Sequence, residues 1–298
     1  MNAAEYHGVA PALYSLIRSS TDVPIATLDG LEQLYRGQWQ LQLRALADLS
    51  ELSVVLDGLG VEWAVFKGPI LAEAIYARGI PRSYVDLDVL LPRRALADVV
   101  EALEAGGARV TDRAWTLRSD VPGELGLTLR HGTALDLHWH LLNESRLRRA
   151  FSLHTGELLG RTRRLMVNAR PTPTLDAADT LVHIATHAAL TGGGRLLWFK
   201  DLEQVLARDS PQWDEVVQRT AASGLSLIVA TMLERTTRLL GAHVPSRVLD
   251  SLGSRRGWRA AVRVVDRLHP PERHSFGTQM TGGILVAATR RSTTTSAA

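Results

Sequence analysis

Asp86 and Asp88, in "SYVDLDVLLP", stand two residues apart among apolar neighbours. On an extended strand alternate side chains share a face, so the two carboxylates point the same way, about 7 Å apart. Leu87, Val89 and Leu91 then point the other way. Like charges on a half-buried strand repel and lose hydration, a cost that a bound cation relieves. Mg2+ takes oxygen ligands and bridges to substrate phosphates, so it suits such a pair. A third carboxylate stands in "ALDLHWHLL", where Asp136 shares a strand face with His138 and His140. Two neighbouring carboxylates with a third from another strand are what two-metal phosphoryl or nucleotidyl transfer requires. A D-x-D taken alone would equally suit the exposed edge of a sheet.

Two further features could hold phosphate. "FKGP" leads from a strand into a helix, where free backbone N–H groups favour an anion. Its Lys67 is one of two lysines, with Lys200, among 34 basic residues. Where arginine replaces lysine nearly everywhere, a retained ammonium can mark a place that a planar guanidinium does not suit. Arg82 lies four residues before Asp86, in the loop feeding the aspartate strand, and could reach a phosphate at the mouth of the site.

These residues need strands to carry them. Residues 1 to about 60 read as helical: Leu41, Leu46, Leu49, Leu52, Val55, Leu56 and Leu59 recur near the helical period, and Gly60 supplies a stop. "VEWAVFKG" is a short strand, and "PILAEAIYARG" a helix opened by Pro69 and closed around Gly79. "YVDLDVLLP" is the next strand, and "RRALADVVEALEAGG" an amphipathic helix. "ARVTDRAWTLRS" reads as a strand, and "GELGLTLRH" and "ALDLHWHLL" as a hairpin turning at Gly132-Thr133. Residues 61–142 therefore form a β-α-β-α-β-β-β series, an α+β unit with a small mixed sheet. Beyond it the chain reads as mostly helical to about residue 268. "LDAADTLVHIATHAAL" follows the capping residue Asp176 and stops at "TGGG". The last residues, "RRSTTTSAA", have a disordered composition.

Bulk composition excludes several classes. The 298 residues are 45% apolar and 22% charged, ordinary for a globular protein. The absence of cysteine excludes disulfides, thiolate metal sites and a cysteine nucleophile. The opening "MNAAEYHGVAPALYSLI" lacks a secretory pattern, and no apolar run approaches the ~20 residues that cross a bilayer. A cytoplasmic protein without membrane attachment is expected. A net charge of +3, without basic-aromatic interleaving, does not indicate extended nucleic-acid binding. The basic "GSRRGWRAAVRVVDR" reads as a solvated helix face.

Other residues invite over-reading. His183 and His187 share a helix face at metal-ligand spacing, but lack a zincin glutamate and an evident third ligand, so they read as core or groove-lining. His138, on the Asp136 face, is a candidate cleft residue. So is Asp201 in "WFKDL", which could equally cap a neighbour. Lys200 reads as a surface residue.

In order and spacing, "KGPILAEAIYARGIPRSYVDLDVLLP" and "ALDLHWHL" resemble the uncharacterised nucleotidyltransferase family of the polymerase-β-like superfamily. "YHGVAPALYSLI" and "DTLVHIATHAAL…LLWFKDLEQVL" resemble its flanking helices, so the similarity spans roughly residues 5–210. The resemblance implies a small mixed-sheet nucleotidyltransferase core at 61–142. It would lie between an N-terminal helical region at 1–60 and a mainly helical region at 143–288, with a disordered tail at 289–298. It also implies Mg2+-dependent transfer of a nucleotidyl group from an NTP donor, ATP included, to a hydroxyl or phosphate of an unidentified acceptor. By that analogy Asp86, Asp88 and Asp136 are the catalytic metal ligands for one or two Mg2+ ions, with Mn2+ able to substitute. Lys67, Gly68 and Arg82 then serve the nucleotide. The better-known superfamily members carry Gly-Ser and a shorter gap before the aspartates, whereas here Pro69 follows Gly68. Two alternatives are a D-x-D glycosyltransferase using a sugar nucleotide and a non-catalytic nucleotide- or partner-binding member.

Overall fold

A computed structural model describes residues 2–77, 79, 81–111, 123–253 and 256–274. The chain divides into two compact units, Gln33–Asp176 and Met1–Glu32 with Ala177 onward. Two short helices, α1 (Asn2–Tyr6) and α2 (Ala10–Ile17), open the chain. The long α3 (Ile25–Gly58) then runs into the first of the two units. It stops where expected: Gly60 takes a left-handed φ of 64° and the Val61 N–H returns to the Leu56 carbonyl.

Among its described residues the Gln33–Asp176 unit is built on one seven-stranded mixed sheet. Its strands are β1 (Ala64–Phe66), β2 (Asp86–Leu90), β3 (Arg109–Val110), β4 (Glu124–Thr128), β5 (Ala134–His138), β6 (Arg163–Val167) and β7 (Arg170–Thr174), in the order β3-β4-β5-β2-β1-β7-β6. Strand β2 runs parallel to β5 and antiparallel to β1, and β4 and β5 form the expected hairpin. One face carries Val65, Leu87, Val89, Leu125, Leu127, Leu135 and Leu137 into a core closed by Leu49, Leu52 and Leu56 of α3. Val99 and Leu103 of the Leu96–Ala105 helix join it. This period-2 face is the apolar half of the pattern that places the aspartates opposite.

Three departures from the sequence reading have local causes. The helix after Lys67 is shorter and wider than expected: an α-helical turn at Gly68–Ile70 passes into π-helix at Leu71–Ile75, closed by Tyr76 N–H to the Leu71 carbonyl rather than near Gly79. Strand β3 covers two residues of the expected "ARVTDRAWTLRS" strand, whose remainder from residue 112 lies outside the described residues, as does the tail expected at 289–298. The sheet also continues past residue 142, because β6 and β7 form a hairpin beside β1. Pro171 and Pro173 argue against a strand in the sequence; Asn168 and Ala169, both at positive φ, make the turn that joins the two.

The β4–β5 turn is clamped by a residue the sequence reading passed over. Asp48 of α3 is buried, and its carboxylate accepts the backbone N–H groups of His131 (3.1 Å) and Thr133 (3.2 Å). Asp48→Ala would leave both donors without that acceptor. We expect a loss of about 2–3 kcal/mol of stability, read from urea unfolding.

The other unit is helical among its described residues. After α1 and α2 it continues with Ala177–Leu190, Leu196–Arg208, Trp213–Ser223, Ser226–Leu240, Ser246–Ser251 and Arg256–Leu268. Left-handed Gly224 and Gly241 end two of these helices. Among the described residues no helix is long and apolar enough to cross a membrane.

Candidate active site

Because β2 and β5 run parallel in register, Asp88 stands directly beside Asp136. Across the hairpin, Asp136 faces Gly126 and His138 faces Glu124. Asp86, Asp88, Asp136, His138 and Glu124 therefore gather on the sheet face opposite the main core. A side chain at Gly126 would meet Thr111 Oγ1 at 2.8 Å and Asp136 Oδ1 at 3.5 Å, so the glycine lets Thr111 pack beside the third aspartate.

Asp88 is the centre of this cluster. Lys67 Nζ lies 2.8 Å from its Oδ1, and His138 Nε2 donates to the same oxygen at 3.0 Å. Burial alone would push the Asp88 carboxyl up, but Lys67 and His138 outweigh it and hold the group below the usual carboxylate range. Its neighbours shift the opposite way. Burial raises Asp86, with Asp88 adding repulsion that Lys67 and Arg82 only partly offset. Burial also raises Asp136, where His138 opposes and Asp88 and Asp86 reinforce the rise. One carboxylate is thus kept ionised among others whose charge is disfavoured, which is a setting that favours a bound cation.

Donor atoms of Asp88, Asp136 and His138 lie within 4.8 Å of one another and could hold a metal ion. Asp86 is the next residue on that face but lies outside this group.

Lys67 and Gly68 occupy the strand-to-helix turn. Lys67 has φ 61° and ψ −135°, a backbone region essentially reserved for glycine that costs about 1–3 kcal/mol. A Cβ on Gly68 would come within 3.2 Å of the Asp86 carbonyl, so the turn lies close against β2. Pro69 fits the short helix behind it, where it needs no N–H donor. Arg82 is buried, donates to the Ser83 carbonyl and is near enough to Asp86 to oppose the rise of its carboxyl.

The remaining sequence candidates separate. His140 was expected on the Asp136 face, yet β5 ends at His138 and the N–H groups of Trp139 and His140 both turn to the Gly123 carbonyl. That double acceptance breaks the alternation, and the His140 ring accepts the Leu142 N–H instead. Burial, with Arg148 and His154 nearby, lowers His140 to about 4. Asp201, buried on Leu196–Arg208, belongs to the other unit, as do His183, His187 and Lys200. The His183 and His187 rings are 6.0 Å apart, and Lys200 pairs with Glu203 at 2.6 Å.

Glu124 was missed. One of its oxygens is 3.3 Å from His138 Nδ1, outside hydrogen-bond alignment, and the other accepts the Asn143 amide. Its position at the start of an amphipathic strand gave only one signal, the hairpin register that sets it opposite His138.

Among curated proteins none matches this chain in sequence. Solved structures similar to it include ANT(2'')-Ia in complex with adenylyl-2''-tobramycin, at 12% identity and a TM-score of 0.44, covering 64% of this chain and 98% of that one. Lincomycin-bound LnuA, a lincosamide antibiotic adenylyltransferase, is similar at 13% identity and a TM-score of 0.38, covering 54% and 96%. An antigenic nucleotidyltransferase-like protein from Paracoccidioides brasiliensis is similar at 14% identity and a TM-score of 0.44, covering 70% and 93%. The family model described as uncharacterised nucleotidyltransferase matches residues 1–241, well over half of the sequence, and the chain belongs to that family.

Proposed function

We propose that this nucleotidyltransferase moves a nucleoside monophosphate from an NTP to a hydroxyl or phosphate of its acceptor, using Mg2+ held at Asp88 and Asp136 with Asp86 beside them. The observation that carries this reading is the pairing of Asp88 with Asp136 across β2 and β5, with an ammonium and an imidazole aimed at the same carboxylate oxygen. Two carboxylates and an imidazole with donor atoms within 4.8 Å of one another fit a divalent cation. When bound, the ion supplies charge that offsets the phosphate oxygens and polarises the attacking oxygen.

The chain's own groups do the rest. Lys67 brings a compact cation to where phosphate charge gathers, and Arg82 adds a fixed positive charge behind Asp86. In this reading Asp136 also orients the acceptor hydroxyl for in-line attack and serves as its base. His138 fixes the direction in which Asp88 presents its second oxygen.

A thermal-shift screen tests the donor class. The four NTPs with Mg2+ are expected to raise the melting temperature of the wild type, and of Asp88→Asn far less, because a ligand that binds only the folded state stabilises it. A shift seen only with sugar nucleotides and Mn2+ would contradict the reading.

A further inference from the structure

Lys67 is held where its backbone is strained and its charge is already spent. The chain has 34 basic residues, of which two are lysines, yet one of those two occupies a glycine-type backbone conformation. From that turn, which lies against β2, Nζ reaches Asp88 Oδ1 at 2.8 Å. Asp88 is buried, so its charge needs a partner even without a metal.

We propose that Lys67 is an exchangeable counter-cation of Asp88: a divalent ion arriving at that carboxylate displaces the ammonium, which then turns to the polyphosphate of the incoming nucleotide. The inference rests on the nucleotidyltransferase reading given above. Metal and ammonium compete for one carboxylate and repel each other there. Binding the metal therefore frees a cation for the nucleotide, and the nucleotide's negative charge removes that cation from the metal's neighbourhood. Each ligand favours the other through a single side chain, so the coupling is reciprocal. The π-helical segment that follows the turn supplies backbone already departing from regular geometry, as such segments often do beside functional groups.

The test uses the full chain, stripped of metal, at fixed pH. Mn2+ is titrated into wild type, Lys67→Met and Lys67→Arg and followed by the electron paramagnetic resonance of the free ion. A non-hydrolysable ATP analogue is titrated in parallel, and circular dichroism checks that each variant is folded. Lys67→Met is expected to bind Mn2+ about tenfold more tightly than wild type and the analogue about tenfold more weakly, opposite changes that a general loss of structure does not produce. Lys67→Arg, which keeps the charge, is expected to show no gain in Mn2+ affinity. Should Lys67→Met fail to fold, Lys67→Gly, which suits the backbone angles, takes its place with the same expectation. Equal or weaker Mn2+ binding by the lysine-free variant overturns this proposal while leaving the metal site standing. No Mn2+ uptake by wild type or variant in the millimolar range overturns the proposal and the metal-dependent reading together.

Discussion

Asp136→Asn is expected to abolish nucleotidyl transfer and yet raise the melting temperature of the metal-free protein at neutral pH. The loss of activity should be about a thousandfold or more, equivalent to roughly 4 kcal/mol of transition-state stabilisation. The gain in stability follows from the sign of the shift. Burial, reinforced by Asp88 and Asp86, raises the Asp136 carboxyl in the folded chain above its unfolded value. The folded state therefore binds the proton more tightly, and stability falls as pH rises from the unfolded value through the folded one. At pH 7 the charged carboxylate is a cost, which the neutral amide of the same shape removes. Below the unfolded value both forms are neutral and the advantage should vanish. Added Mg2+ should reverse the order, because it stabilises wild type and finds one ligand fewer in the variant. Melting curves of both proteins at pH 7 and near pH 3, with and without Mg2+, check all three statements. A variant less stable than wild type at pH 7 without metal would show that Asp136 is not under this electrostatic load.

The second large effect lies away from the site. Asp266→Ala is expected to destabilise the helical unit by about 3–5 kcal/mol. Arg235 and Asp266 are both buried and joined twice, Nη2 to Oδ1 at 2.6 Å and Nε to Oδ2 at 3.1 Å, and Arg238 also pairs with Asp266. Arg235 is packed closely enough that a Cβ on Gly193, in the "TGGG" turn, would lie 2.6 Å from its Nη1. Removing the aspartate leaves a guanidinium that can neither reach water nor lose its proton. Replacing both partners by apolar residues, Arg235→Met with Asp266→Leu, should cost far less than either single change. Chemical unfolding of the single and double variants measures the difference. A single variant within about 1 kcal/mol of wild type would mean that the pair is readily solvated.

What could be read from the sequence, and what could not, follows from the range of each interaction. The period-2 alternation of "VDLDV" and "ALDLH" is local, so the shared face of Asp86, Asp88, Asp136 and His138 was legible. His140 looked identical by that rule, but the Gly123 carbonyl that captures two successive N–H groups comes from the residue before β4. The β6–β7 hairpin was hidden by prolines whose missing N–H groups disguise a strand. Asp48 reads as one more solvated acid on a long helix; only the fold brings the turn at His131 and Thr133 to it. The Lys67–Asp88 contact lies between the two. Its residues stood out by rarity and by pairing, but the strained backbone that joins them is visible only in three dimensions.

The most direct measurement of the central claim follows the phosphorus. Wild type and Asp88→Asn are incubated with Mg2+ and a lysate, using each NTP labelled at either the α- or the γ-phosphate. Wild type should pass the α label, and not the γ label, to an acceptor, with transfer lost in Asp88→Asn and on removal of Mg2+. Transfer of the γ label, or α transfer that survives in Asp88→Asn, would contradict nucleotidyl transfer at this site.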